Sequence, residues 1–164
     1  MRRLLSLVFC FLLLFGCMTT ENNVFEHPSF SVTLPEPFEE VPNIPAVCFA
    51  PYGDPFLSSS ITFFTTELNW YFDSFTKPEY EDSLKSLCGY DDLSLKEIID
   101  CRIDGYPAKR IACRVTIDQG THDLIVYAIS ADRIYFFTLL NRDNDAYIDP
   151  FDSMMKTLHI KEAA

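Results

Sequence analysis

The serine and histidine side chains are the first candidates for chemistry in this chain of 164 residues. A nucleophilic hydrolase needs a serine on a sharp turn, such as G-x-S-x-G, together with a histidine base. The sequence lacks that motif: the serines at 58–60 enter a strand-like run, and the three histidines are dispersed at His27, His122 and His159. We therefore predict no catalytic residues and no enzymatic activity.

One acidic segment, residues 143–149, offers oxygen atoms at alternate positions and begins like a calcium-binding loop. The pattern then fails, because Tyr147 and Ile148 occupy the places of the next ligand and of the turn glycine. Met154 also stands where a bidentate glutamate belongs. We interpret the segment as a solvated loop that ends in a helix cap, and we predict no metal ion and no other cofactor.

Thiols are the remaining reactive groups, and four of the six cysteines lie beyond the N-terminal apolar segment: Cys48, Cys88, Cys101 and Cys113. Four thiols allow three pairings, and an oxidising compartment favours disulfides. Cys101 and Cys113 fall on the apolar face of one predicted hairpin, near enough to opposite positions to form a disulfide. The alternative is four reduced thiols that pack as small hydrophobic side chains.

The segment 68–72 (LNWYF) is rich in aromatic residues and connects a predicted strand to a predicted helix. Two interpretations stay open. If the segment covers the sheet, its rings belong to the core. If it forms a loop, Trp70 and Tyr71 offer the large, rigid contact area that is typical of binding hot spots. Our hypothesis is that these two rings join Tyr52 and Phe56 in a surface for a partner.

The N-terminus has the composition of an export signal. Arg2 and Arg3 precede an apolar run from Leu4 to Phe15. This run is shorter than the about 20 residues of a membrane-spanning helix. It closes on Leu14-Phe15-Gly16-Cys17, which resembles the lipobox of bacterial lipoproteins, where the cysteine carries a lipid such as palmitate.

This resemblance implies a signal peptide at 1–16, a lipid on Cys17 and a tether at 17–28. It further implies that a single domain at 29–162 is held by the lipid to a bacterial membrane on the extracytoplasmic side of the cell envelope. An uncleaved N-terminal membrane anchor is the alternative interpretation. Because a cysteine with several acyl chains is held almost irreversibly, the domain needs no membrane-binding surface of its own.

The charge of the chain limits its partners. The sequence has 13 basic and 24 acidic residues, and without Arg2 and Arg3 the balance is 11 against 24, a net charge of −13. Binding to nucleic acid depends on clustered lysine and arginine that neutralise phosphates. We therefore predict no nucleic-acid partner and interpret the acidity as a solvating surface, with a surface for a cationic partner as the alternative.

The first half of the chain predicts short strands and one helix. Residues 30–34 alternate between apolar and polar side chains, and 46–50 and 60–66 are two further strand candidates. Thr76 and Glu79 have the spacing of a capping box, so a helix is expected to begin there. Gly89 is placed to end this helix in the left-handed conformation.

The second half has a period of two over 95–103, 108–117, 121–130 and 134–140. The step Asp104-Gly105 supplies the positive φ of a tight hairpin. The alternation predicts one shared buried face for the two arms of this hairpin. Asp149 and Pro150 are expected at the N-cap and first position of a last helix, and 158–160 as a short extended segment. These patterns predict an α+β fold with a central antiparallel sheet of about six strands flanked by helices.

The chain resembles the PsbP-like (Mog-type) αβα sandwich family at four places: 30–35 with Phe38, 104–108, 127–129 with 135–137, and 151–158. The family implies a central antiparallel sheet between helices and implies no shared chemistry. Its members act mainly as binding or assembly modules. We therefore expect a non-catalytic module with a protein partner. The alternative is a lipoprotein that binds a small apolar ligand in a pocket between sheet and helix.

Overall fold

The computed structural model describes residues 23–44, 46–54, 59–67, 75–118, 120–143 and 145–161. Within these ranges the chain forms ten strands and two helices. They are β1 (Val24–His27), β2 (Phe30–Thr33), β3 (Phe38–Glu40), β4 (Val47–Pro51), β5 (Ser60–Thr66), α1 (Lys77–Cys88), β6 (Leu93–Ile103), β7 (Tyr106–Ile117), β8 (Gly120–Ser130), β9 (Ile134–Asn141), α2 (Ile148–Met155) and β10 (His159–Ile160).

Seven strands form the main sheet in the order β3-β4-β5-β9-β8-β7-β6, and every pair in it is antiparallel. The predicted α+β class is confirmed, but the expected size of about six strands is too small. A second sheet, β1-β2-β10, accounts for the other three strands. Its first strand, Val24–His27, lies where the sequence predicts a tether, and it pairs with β2 from Val24 opposite Thr33 to His27 opposite Phe30.

The main sheet is covered on both faces, and a large hydrophobic core lies on each face. Helix α1 packs through Tyr80 and Leu84 on one face, and we call this the α1 core. The second sheet and helix α2 pack on the other face, and we call this the α2 core. Strand β9 lies in the middle of the sheet, so all eight of its residues are buried. The period of two predicted for residues 134–140 is therefore wrong: the segment is apolar at every position except Thr138, as expected for a strand that is covered on both faces.

A bulge in the edge strand β6 decides which residues face which core. The register with β7 shifts between Leu95 and Glu97. Because side chains alternate along a strand, one extra residue moves the following side chains to the opposite face. Leu95 therefore packs in the α1 core, whereas Ile103, at the other end of the same strand, packs in the α2 core.

The start of α1 follows a local rule and was predicted correctly, whereas the start of α2 was not. The predicted capping box is confirmed at α1, where the backbone N–H of Thr76 donates to Glu79 Oε2 at 2.6 Å, and Gly89 ends the helix with φ of 74°. Helix α2 begins at Ile148 with Tyr147 as its N-cap, so Asp149 lies inside the first turn. Neither of the two helices in the described ranges is long and apolar enough to cross a membrane.

Candidate functional site

Most of the residues predicted to bind lie outside the described ranges. Cys17, Phe56, Trp70 and Tyr71 are in this group, so lipidation and the aromatic surface stay predictions. Tyr52 is described: it follows β4 with φ of 56°, and its side chain is 82% exposed. Of the four residues in the hypothesised aromatic surface, Tyr52 is the one that lies in the described ranges, and its ring is exposed.

The predicted position of Cys101 near Cys113 is wrong. The register places Cys101 opposite Ala108 and Cys113 opposite Leu95. Their side chains also lie on opposite faces, because the turn pairs Ile103 with Tyr106, and Cys101 is an even number of residues from Ile103 whereas Cys113 is an odd number from Tyr106. Cys113 accordingly lies in the α1 core and Cys101 packs against the α2 core. All four cysteines of the described ranges are free thiols. A disulfide between these two side chains would have to cross the sheet.

Burial keeps the thiols protonated. It raises the pKa of Cys113 to about 12 and that of Cys88 to about 11. Burial also raises the pKa values of Cys48 and Cys101. Since the thiolate is the nucleophilic form, these environments disfavour catalysis by cysteine.

Two of the three histidines make contacts that do not resemble a catalytic pair. His27 stacks on Phe30 with 4.8 Å between ring centroids, and its Nδ1 accepts the backbone N–H of Ser29. The pKa of His27 is lowered by burial and by the charge of Lys161. His159 Nδ1 lies 3.1 Å from the carboxylate of Asp104. These contacts describe packing and surface roles.

The site that combines concavity with chemistry is a groove of about 420 Å³ on the α2-core face of the main sheet. Its floor and walls come from β6, β7, β8 and the turn before α2. The lining residues are Lys96, Arg110, Ala112, Cys113, Arg114, Asp123, Ile125, Asp145 and Ile148. Ile148, the first residue of α2, lies in the wall of the groove, and this helix has only eight residues.

Strand geometry brings three cations together in this groove. Arg110, Ala112 and Arg114 occupy alternate positions of β7 and so project from one face. Lys96 is the unpaired residue at the bulge of β6, between Leu95, which lies opposite Cys113, and Glu97, which lies opposite Ala112. The side chain of Lys96 is exposed, and it forms no ion pair with any described residue. A small side chain is therefore surrounded by three positively charged ones.

Helix α2 orients the first of these cations. Arg110 Nε donates to Asp152 Oδ1 at 2.9 Å and to Oδ2 at 3.2 Å, and the hydroxyl of Tyr127 donates to the same Oδ1 at 2.9 Å. Burial lowers the pKa of Arg110, but Asp152 outweighs this effect and the pKa is raised overall. Burial and the charge of Asp152 both raise the pKa of Tyr127. The guanidinium is thus fixed through one of its five N–H donors.

Acidic side chains line the opposite end of the groove. Arg114 Nε lies 3.6 Å from Asp123 Oδ1, and this pair is largely exposed. The carboxyl of Asp145 hydrogen-bonds that of Asp123, which raises the pKa of Asp145. The groove therefore has three cations, Lys96, Arg110 and Arg114, and Arg114 also contacts the acidic end formed by Asp123 and Asp145.

This arrangement can bind charged groups. Within the described ranges, no lining residue of the groove forms a hydrogen bond that would pair a nucleophile with a base. Five of its nine lining residues are charged, so it differs from the apolar pocket of the alternative prediction. Sequence reasoning missed the groove because its cations look like the solvated positions of alternating strands. The one signal available in the sequence was that Arg110 and Arg114 lie two residues before and two residues after the small residue Ala112.

Comparisons with known proteins identify the fold. The sequence matches no protein-family model, and no curated protein matches it significantly. The solution structure of cyanobacterial PsbP (CyanoP) from Synechocystis sp. PCC 6803 superposes with a TM-score of 0.64 at 12% identity, over 89% of this chain and 98% of that one. LpqN, described as involved in cell envelope biogenesis of Mycobacterium tuberculosis, gives a TM-score of 0.55 at 10% identity, over 83% and 87%. The chain therefore has the PsbP-like fold that its sequence resembles.

Proposed function

We propose that this protein is a lipid-anchored extracytoplasmic module that acts by binding and not by catalysis, with the groove between β6 and α2 as its binding surface. The observation that carries the proposal is the groove itself, in which Lys96, Arg110 and Arg114 surround Ala112 on an open part of the sheet. A shared fold does not specify a function, so the proposal depends on this site.

The location in the cell envelope is supported by the sequence. Arg2, Arg3 and the apolar run that ends at Cys17 are the parts of a lipoprotein signal. LpqN, which shares the fold, is described as involved in cell envelope biogenesis. The net charge of −13 predicted for the exported chain would be repelled by anionic lipid, so attachment has to come from the N-terminal segment and not from the surface of the domain.

Anchoring is tested by expressing the full chain and its Cys17→Ser variant in a bacterium that is fed an alkyne analogue of palmitate. We expect the wild type to carry the label and to sediment with membranes, and the Cys17→Ser variant to carry none. Cys10→Ser is the matched control, since Cys10 lies in the same signal, and it should be labelled like the wild type. A labelled Cys17→Ser variant would contradict lipidation at this position.

Binding in the groove is tested with a photo-crosslinking amino acid at position 96 in the anchored protein, and with the same amino acid at position 77 as control. Lys77 is exposed on α1, on the other face of the sheet. We expect an adduct at position 96 that the Arg114→Gln substitution reduces, and none at position 77. The mass of the adduct separates a protein partner from a small ligand. Equal adducts at both positions would contradict a binding role of the groove.

The aromatic hypothesis remains part of the proposal. Tyr52 is exposed, and Phe56, Trp70 and Tyr71 complete the proposed second surface for a protein partner. The Trp70→Ala variant distinguishes the two interpretations. A loss of about 3 kcal/mol or more in the free energy of unfolding would mean that the ring is in the core. Unchanged stability with a lost crosslink to a protein partner would mean that it lies in an interface.

A further inference from the structure

We infer that the groove binds a small organic anion, in which one carboxylate or phosphate group lies between Lys96, Arg110 and Arg114 and an apolar body lies on the strands beneath. This inference rests on the proposed binding role of the groove and names the chemical class of its ligand. It follows from the arrangement of charge, from the way Arg110 is held, and from the shape of the floor.

The spacing of the cations suits a single anionic group. Arg110 and Arg114 each lie two residues from Ala112, and a strand rises about 3.4 Å per residue, so each is roughly 7 Å along the strand from the middle of the site. The bulge leaves Lys96 unpaired on the neighbouring strand, next to Glu97, which lies opposite Ala112. Long side chains at these three positions can converge on one anion above the methyl group of Ala112.

Lys96 and the outer part of Arg110 can pair with an anion at this end of the groove, beside the negative charge of Glu97, which lies opposite Ala112. Lys96 has no ion pair with a described residue, so its ammonium lacks a protein counter-ion there. Asp152 accepts hydrogen bonds from Nε of Arg110, so these bonds do not use the two terminal nitrogens of the guanidinium. A guanidinium fixed in this way is preorganised for the bidentate hydrogen bonds that carboxylates and phosphates accept.

The rest of the groove selects what is attached to the anion. Ala112 lies opposite Ile125 in the β7–β8 ladder, and Ile148 of α2 completes an apolar surface. Asp123 and Asp145 close the other end with negative charge, which repels a second anionic group. The lining therefore fits a ligand with one anionic group and an apolar body, and it does not fit a polyanion.

Isothermal titration of the full chain in dodecyl maltoside tests this inference with four probes. Phenyl phosphate and benzoate combine an anion with an apolar ring, inorganic phosphate lacks the ring, and benzyl alcohol lacks the charge. We expect phenyl phosphate or benzoate to bind, inorganic phosphate to bind about tenfold more weakly, and benzyl alcohol not to bind. Higher affinity for phenyl phosphate would indicate a phosphate ligand, and higher affinity for benzoate would indicate a carboxylate.

Two variants locate the binding. Lys96→Gln and Arg114→Gln each remove one exposed cation of the groove, and each should weaken binding of the better probe about tenfold, because a charge-assisted hydrogen bond is lost. Lys77→Gln is the matched control, with the same change of charge on the other face of the sheet, and should bind like the wild type. The thermal midpoint of each variant verifies that it is folded.

Three results would overturn the inference: equal affinity of all the variants, binding of benzyl alcohol as strong as that of phenyl phosphate, or no binding of any anion at millimolar concentration. None of these results concerns the anchor at Cys17, and none prevents a protein adduct at position 96. If the probes fail while a protein adduct forms there, the groove is a protein-binding surface and only the anion is wrong. If both fail, the proposed role of the groove fails with them.

Discussion

Arg110 on β7 and Asp152 on α2 form an ion pair that joins the main sheet to the second helix, with 2.9 Å between Nε and Oδ1. The two side chains come from positions 42 residues apart and are mostly buried. Tyr127 of β8 donates its hydroxyl to the same carboxylate. One acidic side chain thus holds two strands against the helix and also orients the arginine of the groove.

The Asp152→Ala substitution should lower the free energy of unfolding by about 1 to 3 kcal/mol, because it leaves the partly buried guanidinium and hydroxyl without their acceptor. The matched control is Asp149→Ala, an exposed aspartate in the first turn of the same helix, which should change stability by about 0.5 kcal/mol or less. Urea unfolding measures both. Equal effects of the two substitutions would show that helix charge, and not the contact with Arg110, accounts for the loss.

Local signals predicted the elements well, since each depends on a few neighbouring residues. Thr76 with Glu79 fixed the start of α1, and Asp104-Gly105 marked the tight turn between β6 and β7, where both residues have positive φ. Tyr147 was not expected as the cap of α2, because Asp149 and Pro150 look like a better signal two residues later.

The relation between strands was harder to predict, because it depends on contacts distant in sequence. The tight turn pairs Ile103 with Tyr106, and counted from that pair Cys101 lies an even number and Cys113 an odd number of residues away, so the two cysteines face opposite sides of the sheet. The groove needs the bulge of β6 for Lys96, the alternation of β7 for Arg110, and the turn before α2 for Asp145. No single stretch of sequence contains such a site.

The opposite faces of Cys101 and Cys113 predict different reactivities towards iodoacetamide at about pH 8. Cys113 is fully buried with a pKa raised to about 12, so roughly one molecule in ten thousand carries the thiolate. Cys101 is only partly buried and should be alkylated first in the folded protein. Mass spectrometry of the peptides measures the order, and urea-denatured protein, in which the difference should vanish, is the control. A disulfide between these two residues in the native protein would contradict the register of β6 and β7.

The hydrogen bond between Asp145 and Asp123 predicts an effect of pH on stability. The bond raises the pKa of Asp145, so the folded protein holds this proton more tightly than the unfolded chain does. The stabilisation is present at low pH and is lost as the pH rises through the folded pKa. Asp145→Asn keeps a donor at every pH and should therefore raise the thermal midpoint relative to wild type more at pH 7 than at pH 3. Asp149→Asn is the control, and a difference that does not depend on pH would contradict a shared proton.

Helix α1 covers the beginning of the free edge of β6, where the backbone N–H of Leu95 donates to Glu81 Oε2 at 3.0 Å. This hydrogen bond is the main cause of the lowered pKa of Glu81. Glu81→Ala removes the acceptor and should speed hydrogen exchange of the Leu95 amide about tenfold. Lys85→Ala is the matched control: it breaks only the ion pair of 3.3 Å between Lys85 Nζ and Glu81 Oε1, so Leu95 should exchange as in the wild type. If both substitutions speed the exchange equally, general loosening of the helix, and not the loss of this hydrogen bond, is the cause of the faster exchange.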